Sequence, residues 1–200
     1  MCQIKIDTMS DHSAPAAIQV ADGQALSLSL LAQFPGARNV ARAMVAADPL
    51  PASEVGAAVE QLVLEMLGAG MRADIPPAAS FADGMYAREI TIPAGMLCIG
   101  RIQRRPHISV LLQGEISMLN ATGGVTRLKA PCTFASPAGV RKLGIAHTDV
   151  VWTTVHSLAE CEIENPATAT NEELEGFLVV DSPEDFMKFI EQRKLIGGGQ

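Results

Sequence analysis

Ile92-Pro93-Ala94-Gly95, Leu112-Gln113-Gly114-Glu115 and Ser136-Pro137-Ala138-Gly139 punctuate the stretch from Gly84 to His156. Between these turns run short segments rich in aliphatic and β-branched residues: 86–92, 96–102, 108–112, 116–120, 126–128, 133–135, 143–146 and 150–156. Asn120-Ala121-Thr122-Gly123-Gly124 reads as a hairpin loop. No helical period runs through the stretch. About eight strands in roughly 80 residues is the density of a small barrel or jelly roll.

The flanks have a different character. Residues 1–75 are Ala-rich and lean toward helix, with the first twenty or so lacking any period. Ser53 followed by Glu54 predicts a helix start. Val55, Val59, Leu62, Val63, Met66 and Leu67 then recur at steps of three and four, which makes one apolar stripe. Gly68 and Gly70 supply its stop. The stripe needs a partner surface, either the neighbouring barrel or another subunit. The segment 25–34 reads equally as strand or short helix.

Pro76-Pro77 marks the passage into a β region over residues 76–160, and residues 161–200 return to helix. Ser182-Pro183-Glu184-Asp185 has the chemistry of a helix start: hydroxyl at the cap, Pro behind it, acids in the first turn. Phe186, Phe189 and Ile190 form the apolar face of that helix, and 176–180 reads as one further strand. The expected fold is therefore mainly β, a double-stranded barrel or jelly roll with helical segments at both ends.

Composition narrows the function classes. The chain has 200 residues, 48% hydrophobic and 18% charged, enough for a substantial core. Its formal charge of −7 disfavours nucleic-acid binding, which depends on neutralising phosphates. No stretch has the roughly 20 apolar residues that span a bilayer, and no apolar run follows Lys5 as in a secretory signal. Cys2, Cys98, Cys132 and Cys161 lack zinc-ligand spacing and read as reduced thiols. There is no nucleophile elbow, phosphate loop or dinucleotide fingerprint, so no catalytic residue and no cofactor is assigned.

The span 81–156 resembles the cupin superfamily. In metal-binding cupins the first motif places two His and a Glu ahead of a Leu-x-Gly-Glu turn, and a last His follows a Pro-x-Gly turn. Registered on Leu112-Gln113-Gly114, the chain has Arg101 and Gln103 at the two His positions and His107 at the Glu position. After Pro137-Ala138-Gly139 it has Lys142 at the last His position. A divalent ion needs converging imidazoles or carboxylates, and two of these four positions are cations, so no metal is expected. Arg101, Gln103, His107 and Lys142 would instead form an anion pocket if both motif strands line one barrel mouth. Arg104, Arg105 and Arg141 extend the local basic set.

Two further residue groups are candidates. For acid–base work the sequence offers only His107 with Glu115 or Glu89. His147 and His156 are nine residues apart and fall on opposite faces of a regular strand, with Asp149 expected to accept backbone hydrogen bonds in a turn. Tyr86, Trp152, Phe186 and Phe189 are the candidate interface anchors, against core packing as the plainer reading.

Gly84-Met85-Tyr86-Ala87-Arg88-Glu89-Ile90-Thr91-Ile92-Pro93-Ala94-Gly95, then Gly100, His107 and Gly114-Glu115, lead to Ala130–Phe134, Pro137–Gly139 and His147-Thr148-Asp149-Val150-Val151-Trp152. This series is similar to small cupin-like proteins of bacteriophage and prophage genomes. The resemblance implies a non-catalytic virion component (decoration, tail or connector) that forms homo-oligomers and contacts other virion proteins. Its place would be the virion, or the host cytoplasm during assembly. The alternative is a small-molecule cupin, either an anion or sugar binder or a metal-dependent isomerase or dioxygenase.

Overall fold

The computed structural model describes residues 2–4, 17–19, 25–27, 34, 38, 40, 43–44, 49–69, 75–159, 161, 163 and 165–197. In chain order the elements are β1 (Cys2–Ile4), β2 (Ala17–Gln19), β3 (Ala25–Ser27), α1 (Ala52–Gly68), β4 (Ala78–Ala82), β5 (Met85–Ile92), β6 (Leu97–Ile99) and β7 (Ile102–Gln103). There follow β8 (His107–Gln113), β9 (Glu115–Leu119), β10 (Val125–Lys129), β11 (Cys132–Ser136), β12 (Leu143–Ala146) and β13 (Val150–Ser157). The C-terminal part holds α2 (Asn171–Leu178), β14 (Val179–Val180) and α3 (Pro183–Gly197).

Alternation of side chains decides how the strands pack. Tyr86, Ile90 and Ile92 share one face of β5; on β9, Ile116 packs with Ile90, Leu111 and Trp152, while Leu119 faces the other way and packs with α1. Two antiparallel sheets result, ordered β1-β6-β12-β9-β10 and β11-β8-β13-β5-β4. Their central strands pair as β6–β12–β9–β10 and β11–β8–β13–β5, with the chain passing repeatedly between the sheets. That is jelly-roll connectivity. Gly114 makes the β8–β9 turn at φ 86°, where a Cβ would strike the backbone carbonyl of Asp149, so the turn requires glycine.

The helix expected after Ser53 begins at Ala52, with Pro51 at the cap position and no side-chain cap; Ser53 lies inside the first turn. Its stripe packs on the chain's own jelly roll. Val59, Leu62, Val63 and Met66 form one core cluster with Leu97, Ile99, Leu119, Leu143 and Ile145. Each fully buried side chain of this size contributes about 1.5–3 kcal/mol.

Among the described residues of the stretch 1–75, positions 38, 40, 43 and 44 are helical as well as α1. The stretch also contains β1, which pairs with β6, and the hairpin β2–β3. The ambiguous segment begins as the strand Ala25–Ser27, while residues 28–33 lie outside the described residues, as does most of the unpatterned N-terminus. Strand β4, after Pro76-Pro77, extends the second sheet by pairing with β5.

At the C-terminal end, Thr170 and Glu173 form a reciprocal capping box that starts α2. Residues 176–178 therefore complete a helix, and only Val179–Val180 remain as strand, paired with Ile102 and Gln103 of β7. Ser182 caps α3 as expected, its hydroxyl accepting from the Asp185 amide at 3.1 Å.

Candidate functional site

The pairing of β13 with β5 and β8 brings Arg88 opposite Thr154, Ile90 opposite Trp152, and Trp152 opposite Leu111. Inward residues of β5, β6, β8, β9, β12 and β13 enclose a cavity of about 70 Å³ between the sheets. Its wall is apolar on one side (Ile90, Ile92, Ile116, Met118, Trp152) and carries Arg88, Arg101, Gln103, His107, Lys142 and Glu175 on the other. All four residues that the sequence places in a common pocket, Arg101, Gln103, His107 and Lys142, line this one space.

Lys142 stands at its centre of charge. Its Nζ donates to His107 Nε2 at 2.9 Å and to Ser109 Oγ at 2.7 Å, and Ser109 shares a 2.9 Å hydrogen bond with Ser136. The ammonium also lies 5.4 Å from the Trp152 ring centroid and 5.7 Å from that of Phe134. Burial pushes its pKa from 10.5 down to about 8.

His107 Nδ1 lies 3.3 Å from the Arg105 carbonyl. That carbonyl can only accept, which assigns the proton to Nδ1 and leaves Nε2 as the acceptor for Lys142. Burial, and then the Lys142 charge, hold His107 down at about 4. His156 stacks on His107 with ring centroids 4.9 Å apart, and burial followed by the His107, Arg88 and Lys142 charges takes it to about 3. Both imidazoles are therefore neutral at physiological pH.

Arginines and carboxylates close the mouth. Glu175 of α2 accepts from Arg88 Nη2 at 3.0 Å and from Arg101 Nη1 at 2.9 Å. Arg101 also forks onto Asp181 at 2.8 and 3.2 Å. Three cationic side chains thus line the cavity against one carboxylate. Arg88 Nε and Gln103 Oε1 are buried without a hydrogen-bond partner among the described residues.

Several sequence expectations change at this point. Tyr86 and Trp152 are only 1% and 6% exposed, so neither is a surface anchor: Tyr86 packs with Leu174, Leu178 and Val179, and Trp152 with Ile90, Ile92 and Leu111. Phe186 packs over Gly139 and Phe189 lies 5.2 Å from the Arg104 guanidinium, so both engage their own chain. Glu115 pairs with Arg127 and Lys129, and Glu89 accepts from Thr153; among the described residues no hydrogen bond joins either to His107, so neither candidate acid–base pair is in contact. The basic set divides. Arg105 stacks on Phe177 at 4.6 Å and Arg141 grips Glu60 at 2.6 Å, which ties the terminal segments to the jelly roll.

His147 bonds Ser117 at 2.6 Å, and Asp149 accepts from the Ala94 amide at 2.9 Å in the expected turn. His156 takes the opposite direction, into the core. Its partnership with His107 was not legible in the sequence, nor was the arrival of Glu175. Arg88 carried a signal: it stands two residues before Ile90 and four before Ile92, on the same inward-facing register.

The residues present do not fit a divalent metal. The Nε2 lone pair of His107 is taken by an ammonium. Stacked rings 25° apart do not aim their nitrogens at a shared ion, and no group of three His, Cys, Asp or Glu is placed to hold one among the described residues. The fold is a jelly roll of two five-stranded antiparallel sheets. No protein-family model matches the chain, and no curated protein does.

Among solved structures, it resembles a cupin-2 domain protein from Shewanella frigidimarina at 8% identity, over 47% of this chain and 91% of that one, with TM-score 0.36. A cupin domain from Bordetella pertussis gives 17% identity, 43% and 95% coverage, and TM-score 0.35. An acetylacetone dioxygenase from Acinetobacter johnsonii gives 13% identity over 42% of this chain, with TM-score 0.35; the chain spans 59% of that enzyme's length. No residue role follows from these likenesses.

Proposed function

We propose that the chain is a binding protein for a small carboxylic acid, taken into the jelly-roll cavity without a metal. The observation that carries this reading is the position of Lys142, whose ammonium lies on His107 Nε2 inside a cavity also lined by Arg88 and Arg101. Low-dielectric walls strengthen a fixed cation's attraction for an anion. Arg88 Nε and Gln103 Oε1 offer one free donor and one free acceptor to such a ligand. Trp152, the only tryptophan, lines the same space and serves as a built-in reporter. Its fluorescence, titrated with acetate, pyruvate, malonate, inorganic phosphate and glucose, tests the reading. A saturable change with one or more carboxylates, and none with glucose, supports it; no response to any carboxylate overturns it.

A second reading draws on a separate feature. Leu64 and Leu67 stay 66% and 46% exposed on the outer face of α1, three residues apart, while the inner face is buried. They suit a structural subunit that assembles with copies of itself or with other virion proteins. Sedimentation of the full chain tests the self-assembly: a dimer or larger species that dissociates in Leu64→Lys supports it, and a monomer refutes it.

A further inference from the structure

Lys142 is an unusual amine for a binding site. It lies in a cavity, is held by two hydrogen bonds, and has an imidazole on one side and an indole on the other. Around it stand His107 and Ser109 from β8, His156 and Trp152 from β13, and Arg88 from β5. Arg101 and Glu175 complete the mouth. Both imidazoles are neutral, and among the described residues no carboxylate forms an ion pair with the ammonium. In such surroundings a lysine keeps a sizeable neutral fraction near physiological pH and becomes a nucleophile.

The cavity also limits what could meet that amine. At about 70 Å³ it admits only a few heavy atoms, so a ligand's acid group and any reactive carbonyl must be close neighbours. Arginine donors at the mouth suit a carboxylate, and the amine suits an electrophilic carbon.

We propose that Lys142 condenses with the carbonyl of a short 2-oxo acid to form an imine; this deepens, and rests on, the carboxylate-binding reading. The neutral Nζ attacks the carbonyl carbon, and the carbonyl π pair moves to oxygen, which takes a proton. The carbinolamine then expels that oxygen as water while the nitrogen lone pair forms the C=N bond. Counted from the ammonium, R–NH3⁺ plus O=C gives R–NH⁺=C plus H2O, with no oxidant or reductant. His107 Nε2, already on the Nζ proton, is the positioning residue that aims the amine.

Pyruvate with cyanoborohydride, applied to the full chain at about pH 7.5 and followed by peptide mass spectrometry, tests this. An amine whose pKa is about 8 has a neutral fraction roughly 200-fold above that of an ordinary lysine at that pH. Reduced adduct is therefore expected on Lys142 well ahead of exposed Lys129 and Lys188. Malonate should suppress it. Lys188→Met should leave it unchanged, and Lys142→Arg should lose the adduct. Quenching by pyruvate with label only on exposed lysines overturns the imine and leaves carboxylate binding standing. Neither quenching nor Lys142 adduct overturns both.

Discussion

Replacing Lys142 with Met separates the electrostatic cost of the buried ammonium from its hydrogen bonds. The side chain has a pKa of about 8 in the fold and 10.5 when unperturbed, and burial is the cause. A base whose folded pKa is lowered destabilises the fold while both states are protonated, below about pH 8. That cost disappears as pH rises toward the unfolded value, because the unfolded chain alone still binds the proton. At about 1.36 kcal/mol per pH unit, the cost is roughly 3 kcal/mol at pH 7 and under about 1 kcal/mol at pH 10.

Met removes this cost but leaves His107 Nε2 without its donor, a loss of about 1–3 kcal/mol. The two effects nearly cancel at pH 7, so the variant and parent should have similar stability there. Between pH 7 and pH 10 the parent should gain about 2.5 kcal/mol relative to Lys142→Met. Urea unfolding of both chains across that range measures the difference, and titrations common to both cancel. A stability difference that stays constant from pH 7 to pH 10 would refute the assignment of Lys142 as a buried, depressed amine.

Three other outcomes are expected. Glu175→Ala frees Arg88 and Arg101 at the mouth, so carboxylate affinity in the Trp152 titration should rise roughly tenfold while stability falls by about 1 kcal/mol; unchanged affinity would remove Glu175 as an internal competitor. His107 and His156, at about 4 and about 3, lie below their unfolded pKa, so their contribution to stability is complete above about pH 6.5 and declines as pH falls toward 4. Imidazole NMR should find both rings neutral at pH 5, and a protonated ring at that pH would contradict the packing. Gly139→Ala puts a methyl 2.5 Å from Phe186 Cε1 at a φ of 76°, and should cost about 2–3 kcal/mol in thermal unfolding by displacing α3; a smaller loss would mean that α3 is loosely seated.

What the sequence revealed follows from the range of the forces involved. Of the nine strands between residues 85 and 157 all but β7 were legible as separate elements, because alternation and Gly or Pro turns are local signals; β6 and β7 read as one segment, 96–102. The positions Arg101, Gln103, His107 and Lys142 came together as a set through the cupin resemblance, registered on Leu112-Gln113-Gly114 and Pro137-Ala138-Gly139. The His107–His156 stack was not legible, because it depends on the registers of β8 and β13, which only the folded sheet fixes. Glu175 gave no sign either. The capping box of Thr170 and Glu173 that starts α2 came to light only in the folded chain, as did the placing of Glu175 at the cavity. For Tyr86 and Trp152 the plainer reading, core packing, is the one the structure shows, and the interface role offered beside it falls; their register in β5 and β13 decides the matter.

The central claim is that a cation built into the chain, and not a metal, receives a small carboxylate. Isothermal titration of chelator-treated protein with pyruvate and malonate, at pH 7 and at pH 10, tests it most directly. The account predicts one bound carboxylate per chain at pH 7, and affinity at least about tenfold weaker at pH 10, where Lys142 has lost its charge. Binding that appears only after a divalent metal is restored, or that is equally tight at both pH values, would contradict it.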